Sequence, residues 1–203
     1  RDRHSVKELR SLGISPDVLI CRSDQELPSD EKNKIALFCS VPNDSVISMH
    51  DVETVYSVPL LLHSQKVDRI ILKKLKINTK QAQLNDWKRV VKAKLLPEKE
   101  VTVSFVGKYT ELKDSYKSIN EALEHAGIKN KTRVNINFVE AETLTPKNIH
   151  KTLKNSDAIL VPGGFGERGI EGMILACKYA REKGIPYLGI CLGMQVAIIE
   201  YAR

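Results

Sequence analysis

The second half of the sequence alternates short apolar segments with single helical segments. The apolar runs are "VTVSFVGKY", "RVNINFVEA", "DAILVPGGFG" and "IPYLGI", and a helical pattern follows each of them between residues 101 and 203. Strands separated by single helices are joined by right-handed crossovers, which place them side by side in a parallel sheet. Residues 101–203 are therefore predicted to form a three-layer α/β unit with a parallel sheet. Within it, "DSYKSINEALEHAGI" is predicted to be a helix capped by Asp114 and ended at Gly127.

The first 75 residues predict a second three-layer unit of the same class. The short strands "DVLIC" and "SVIS" alternate with helical segments. Ser29 is predicted to cap one of these helices, because acidic residues occupy the turn that follows it. Residues 76–100 gain lysine and lose β-branched residues, so they are predicted to be a linker with one helix around Trp87.

One cysteine, Cys191, lies where a predicted strand turns into a helix. It is the centre of Gly189-Ile190-Cys191-Leu192-Gly193, and the two glycines permit the tight corner on which nucleophiles of hydrolases stand. The positive end of the following helix favours the thiolate form. The N–H of Leu192 is expected to face the oxyanion that forms when the thiolate attacks a carbonyl. A purely structural corner is the alternative.

A glycine-rich loop precedes this corner by one β-α-β unit. The loop, Pro162–Gly166, follows the strand "AILV". Because the carboxyl ends of parallel strands share one edge of the sheet, the loop is expected to lie beside Cys191. A turn at Gly163 and Gly164 could then offer a second N–H to the oxyanion. A plain turn or a phosphate-binding loop is the alternative, although the G-K-[ST] ending of a P-loop is missing.

A cysteine nucleophile needs a base, and none of the histidines is well placed to serve as one. All five precede the corner in the sequence: His4, His50, His63, His125 and His150. His150 is predicted to be solvated on a lysine-rich helix, and His125 to lie near a helix end. The base is therefore expected beyond residue 203.

Composition narrows the class of protein. No apolar run approaches the length of a membrane helix and no signal-like segment opens the chain, so a cytoplasmic location without membrane contact is expected. The formal net charge of +7 indicates either a solvated lysine-rich surface or phosphate-bearing ligands. The few aromatic residues are not interleaved with basic ones, so nucleic-acid binding is not expected. Four cysteines without a C-x-x-C pair predict reduced thiols and no zinc site, with Cys39 and Cys177 buried.

The sequence resembles the CTP synthase family over nearly its whole length. The segment "ILVPGGFGERGIEGMILACKYAREKGIPYLGICLGMQVAIIEYAR" is similar to the glutamine amidotransferase domain of that family, whereas "RHSVKELRSLGISPDVLICRS", "IALFC" and "VYSVPLLL" are similar to the end of its amidoligase domain. The stretch between "VEAETL" and "AILVPGG" is more similar to bacterial members. The resemblance implies that residues 1–75 end the amidoligase domain, that 76–100 are a linker, and that 101–203 begin a flavodoxin-like class I amidotransferase domain.

The resemblance also implies a reaction and a set of site residues. The family aminates UTP to CTP with ATP and Mg²⁺, using ammonia from glutamine; GTP activates the enzyme, CTP inhibits it, and the assembly is a homotetramer. Cys191 would form the glutamyl thioester. The other residues implied are Gly164 and Leu192 for the oxyanion hole; Leu192, Gly193, Met194 and Gln195 for glutamine; Phe165 and Arg168 for GTP; Lys34 for UTP or CTP; and Arg22, His50, Asp51 and Val52 for ATP.

By the same resemblance, the 203 residues are expected to be an internal fragment. The family's P-loop and magnesium ligands precede the first matched residues, and its catalytic His and Glu follow the elbow, so the fragment alone is expected to be inactive. The later strands of the sheet would be missing, which predicts an exposed apolar edge. Two other hypotheses stay open: another class I amidotransferase or cysteine hydrolase, and a non-catalytic binding or assembly module.

Overall fold

A computed structural model describes residues 2–108 and 113–203 of the chain. The chain forms two compact units, Arg1–Leu95 and Leu96–Arg203. Both are α/β units with parallel sheets, which confirms the predicted fold class. A helix does form around Trp87, over Asn85–Leu95, and it belongs to the first unit.

The first unit is a two-stranded parallel sheet packed against helices. Its elements are α1 (Asp2–Ser11), β1 (Leu19–Ser23), α2 (Ser29–Cys39), β2 (Val46–His50), α3 (Val58–Ser64), α4 (Val67–Lys74) and α5 (Asn85–Leu95). The strands pair from Leu19 opposite Val46 to Ser23 opposite His50. Buried side chains of α1, α2 and both strands form its core, among them Val6, Cys21 and Cys39.

The second unit is a four-stranded parallel sheet with the order β4-β3-β5-β6. Its elements are β3 (Lys99–Gly107), α6 (Lys117–Lys129), β4 (Thr132–Glu140), α7 (Ile149–Leu153), β5 (Ala158–Val161), α8 (Ile170–Lys183), β6 (Tyr187–Gly189) and α9 (Leu192–Ala202). Counted within the unit, this order is 2-1-3-4, the order in which a flavodoxin-like sheet begins. The resemblance therefore implied the correct topology.

Alternate residues of the central strands enter two different cores, as the pleat of a strand requires. Phe105 and Leu160 face one side of the sheet, where α6 covers them. Val106, Ile159 and Val161 face the other side, in a core that includes residues of α7, α8 and α9. Helices on both faces produce three layers, with β5 and β6 ending at the same edge.

Three local predictions about helix ends are wrong. Ser29 is the first residue of α2 and Pro28 is its N-cap, without a side-chain hydrogen bond. A 3₁₀ turn over Lys113–Tyr116 precedes α6, so the cap is Tyr116 rather than Asp114. Gly127 does not end α6. It lies inside the helix where a Cβ would come within 2.5 Å of the Thr132 carbonyl oxygen, so close packing against β4 explains this glycine.

Strand β6 and helix α9 of the second unit expose apolar side chains. Leu188 of β6 and both Ile198 and Tyr201 of α9 are exposed.

None of the helices over 2–108 and 113–203 combines the length and apolar character needed to cross a membrane. Those same residues also bring together no group of three or more His, Cys, Asp or Glu side chains that could hold a metal ion.

Candidate active site

Cys191 stands at a strained corner between β6 and α9. Its backbone angles are φ 53° and ψ −103°, a conformation that residues with a Cβ rarely adopt. The residue is the N-cap of α9, and its thiol is exposed. A side chain held at such a corner projects from the sheet edge at the positive end of a helix, which suits a nucleophile.

The glycines on either side are required because two pieces of backbone touch there. A Cβ on Gly193 would lie 2.1 Å from the carbonyl oxygen of Val161, and one on Gly189 would lie 2.5 Å from the carbonyl carbon of Gly193. Two hydrogen bonds hold the corner: the Ile190 N–H donates to the Val161 carbonyl at 2.9 Å, and the Tyr187 hydroxyl donates to the Gly193 carbonyl at 2.8 Å. The start of α9 is therefore locked onto the ends of β5 and β6.

The glycine-rich loop lies against this corner, as the sequence predicts. A Cβ on Gly163 would be 3.5 Å from the Cβ of Cys191, and one on Gly164 would be 3.4 Å from Cδ2 of Leu192. Within the described part of the chain, the backbone N–H groups of Gly164 and Leu192 donate to no backbone carbonyl. Two unused donors thus flank the thiol, which is the composition of a two-donor oxyanion hole.

The first turn of α9 presents its residues in different ways. The N–H of Gly193 donates to the Ile190 carbonyl and that of Gln195 to the Cys191 carbonyl. The Leu192 side chain is 8% exposed and packs in the core, whereas Met194 and Gln195 are exposed. Of the residues predicted to bind glutamine, Leu192 can therefore contribute only backbone, while Met194 and Gln195 can contribute side chains.

One residue of this site, Lys108, was not predicted from the sequence. It follows β3 directly, its side chain is 3% exposed, and its Nζ donates to the carbonyls of Phe165 at 2.9 Å and of Gly166 at 2.6 Å. Its position after a strand of the same parallel sheet is the signal that could have found it, since that strand ends at the edge where Cys191 lies.

No side chain among the described residues forms a hydrogen bond with the sulfur of Cys191, and the two histidines of the second unit have other neighbours. His125 lies on α6, on the opposite face of the sheet, with its Nε2 4.0 Å from Oε2 of Glu121. His150 is exposed on α7 and meets the ring of Tyr179 edge-on at 6.2 Å. That neither histidine serves as the base stays a prediction.

The other cysteine of the second unit has the opposite environment. Cys177 is buried in α8, and burial raises the pKa of its thiol. Burial also raises the pKa of Tyr187, with which Cys177 interacts. A thiol that stays protonated is a poor nucleophile. Exposure and chemistry thus separate Cys191 from the other three cysteines, which are all buried.

In the first unit, a shallow groove runs along the carboxyl ends of β1 and β2. Arg22, His50, Asp51 and Val52 are among the residues that line it. Nη2 of Arg22 is 3.7 Å from Oδ1 of Asp51, and Nδ1 of His50 is buried without a hydrogen-bond partner among the described residues. Lys34 is exposed on α2 and does not line this groove.

Two family models match the chain, one in each unit. The family model of the CTP synthase N-terminus matches residues 1–77, and the model of class I glutamine amidotransferases matches residues 111–203. The two matches follow one another in the order that the resemblance implies. Together the two matches support a fragment of a CTP synthase.

A solved structure of the CTP synthase of Trypanosoma brucei, the glutaminase domain with bound acivicin, is 43% identical to this chain. The alignment covers 51% of this chain and 40% of that one, with a TM-score of 0.48. The chain thus spans less than half the length of that structure.

Phe165 and Arg168 are the residues that the sequence resemblance implies for GTP. Both lie on the surface of the loop that follows β5, and the Phe165 ring is 95% exposed. The Arg168 guanidinium is ion-paired with Glu142.

Proposed function

We propose that the protein containing this chain is a glutamine-hydrolysing CTP synthase. In this proposal the second unit contributes to the glutaminase site and the first unit to the site where UTP is aminated. The observation that carries the proposal is the strained Cys191 corner with the unused N–H groups of Gly164 and Leu192 beside it. The family model that matches residues 1–77 supports the synthetase half.

The reaction begins when the Cys191 thiolate attacks the side-chain amide carbon of glutamine. The new S–C bond pushes an electron pair onto the amide oxygen, and the N–H groups of Gly164 and Leu192 bind that oxyanion. When the oxyanion collapses, the C–N bond breaks and ammonia leaves after taking up a proton. The glutamyl thioester that remains is then hydrolysed by water, which releases glutamate and restores the thiol.

The first unit offers residues that fit a nucleotide. One groove is lined by the exposed pair of Arg22 and Asp51 and by His50, whose buried Nδ1 has no hydrogen-bond partner among the described residues. Arg22, His50 and Asp51 would hold ATP there. ATP with Mg²⁺ would supply the phosphoryl group that activates UTP, and Lys34, outside the groove, would face the pyrimidine nucleotide. GTP activation through Phe165, CTP inhibition, a homotetramer and a cytoplasmic location are further parts of the proposal.

The experiment uses the full-length protein and a Cys191→Ser variant. The wild type should form CTP from UTP and ATP with either glutamine or ammonia, and a diazo-ketone analogue of glutamine should label Cys191. The variant should lose labelling and glutamine-dependent synthesis but keep ammonia-dependent synthesis, because ammonia bypasses the thiol. A wild type without labelling would refute the nucleophile, and one that makes no CTP from ammonia would refute the synthetase.

A further inference from the structure

Lys108 is buried and forms no ion pair with a carboxylate among residues 2–108 and 113–203, which is unusual for a lysine. A charged ammonium removed from water must be compensated by hydrogen bonds. Lys108 Nζ donates to the carbonyl oxygens of Phe165 and Gly166. Both acceptors belong to the loop that carries Gly164. The charge is therefore stable only while the loop keeps these two carbonyls turned towards it.

The lysine is itself fixed by the core of the unit. The Tyr116 hydroxyl donates to the carbonyl of Lys108 at 2.5 Å. The ring of Tyr116 packs against Phe105 with centroids 4.6 Å apart, and Phe105 is fully buried. Lys108 thus connects the core directly to the loop.

The loop needs such an external hold because its own sequence provides little stiffness. Glycine restricts the backbone less than any other residue, and the loop contains Gly163, Gly164 and Gly166, the last with φ +77°. Its first end is fixed where the Ile190 N–H binds the Val161 carbonyl. Gly164 lies between that point and the two carbonyls bound by Lys108.

We propose that Lys108 is a positioning residue of the glutaminase site: it holds the loop so that the Gly164 N–H stays beside Leu192 as an oxyanion donor. Lys108 acts through the loop and touches neither the thiol nor the amide that reacts. The inference rests on the proposed glutaminase function.

The test replaces Lys108 by methionine, which has a similar length but neither charge nor donors, in the full-length protein. Loss of one oxyanion donor lowers kcat by about 100-fold, so the Lys108→Met variant should lose about that factor in glutaminase kcat while its KM for glutamine changes less than about three-fold. Iodoacetamide is small and needs no oxyanion hole, so its rate of reaction with Cys191 should stay within about two-fold. Lys151→Met, an exposed lysine of α7, is the matched control and should leave all three values unchanged.

An unchanged kcat in Lys108→Met would overturn the proposal, and so would a rise in KM alone, since that would assign Lys108 to ground-state binding. If this variant does not fold, Tyr116→Phe decides, because it frees the backbone of Lys108 and keeps the ring. It should lower kcat several-fold at constant KM, and an unchanged kcat would again count against positioning. Amide hydrogen exchange over residues 163–168 should accelerate in either variant. Unaltered exchange would refute the proposal that Lys108 holds this loop, even if the wild type hydrolysed no glutamine.

Discussion

Replacing Gly193 by alanine tests whether the corner depends on backbone contact. The new Cβ would lie 2.1 Å from the Val161 carbonyl oxygen, whereas ordinary contact begins at 3.4 Å. The first turn of α9 would have to withdraw by more than about 1 Å, and overpacking of this kind costs about 3 kcal/mol where the obstacle is backbone. A shift of about 1 Å in a reacting group lowers rates by about 100-fold. Gly193→Ala should therefore lower both the free energy of unfolding and the rate at which the diazo-ketone labels Cys191.

Chemical denaturation followed by circular dichroism measures the free energy of unfolding. Mass spectrometry of the labelled peptide measures the rate at which Cys191 is labelled. Gly184→Ala is the control, since Gly184 has φ +65° but nothing within 4 Å of its Cβ position. It should cost only about 1 kcal/mol for the left-handed backbone and leave labelling unchanged. If both variants lost the same free energy of unfolding and were labelled at the wild-type rate, the contact between α9 and β5 would not be what positions Cys191.

Three further outcomes follow from burial and charge. A thiol reagent should titrate one cysteine in the native chain, Cys191, and all four after unfolding; a second fast native thiol would contradict the burial. Hydrogen bonding to Arg181 holds the pKa of Glu200 below its ordinary 4.5, so the pair stabilises the fold above that pH and loses its effect as pH falls through the lowered pKa. The stability difference between wild type and Glu200→Gln should shrink on acidification, and a constant difference would exclude the pair. Phe165→Ala should change the free energy of unfolding by less than about 0.5 kcal/mol, because the ring is exposed; GTP activation, measured separately, should fall.

The site was predictable where a rule ties residue type to backbone shape. Glycine on both sides of Cys191 indicates a corner, and parallel topology places the Gly164 loop beside it; both expectations agree with the structure. The strand order is also implied by the family resemblance, and the alternation of strands and helices alone was enough to predict a parallel sheet.

Features that depend on tertiary contact were missed. Lys108 reads as an ordinary lysine after a strand, and only the fold brings it to the carbonyl of Phe165. Gly127 resembles a helix stop, but it lies inside α6, where the missing side chain allows the helix to approach the Thr132 carbonyl. The cap at Ser29 fails because Pro28 has the extended backbone that the cap position needs, which moves Ser29 into the first turn.

The backbone of Cys191 has a consequence for how this corner can evolve. A non-glycine residue at φ 53° and ψ −103° stores about 1–3 kcal/mol, and a glycine there would release that energy. Folding alone therefore favours the one substitution that removes the thiol. A lineage that no longer needed glutamine as its nitrogen source would gain stability by losing the cysteine, so keeping a side chain at this position has a constant thermodynamic cost that only the chemistry can offset.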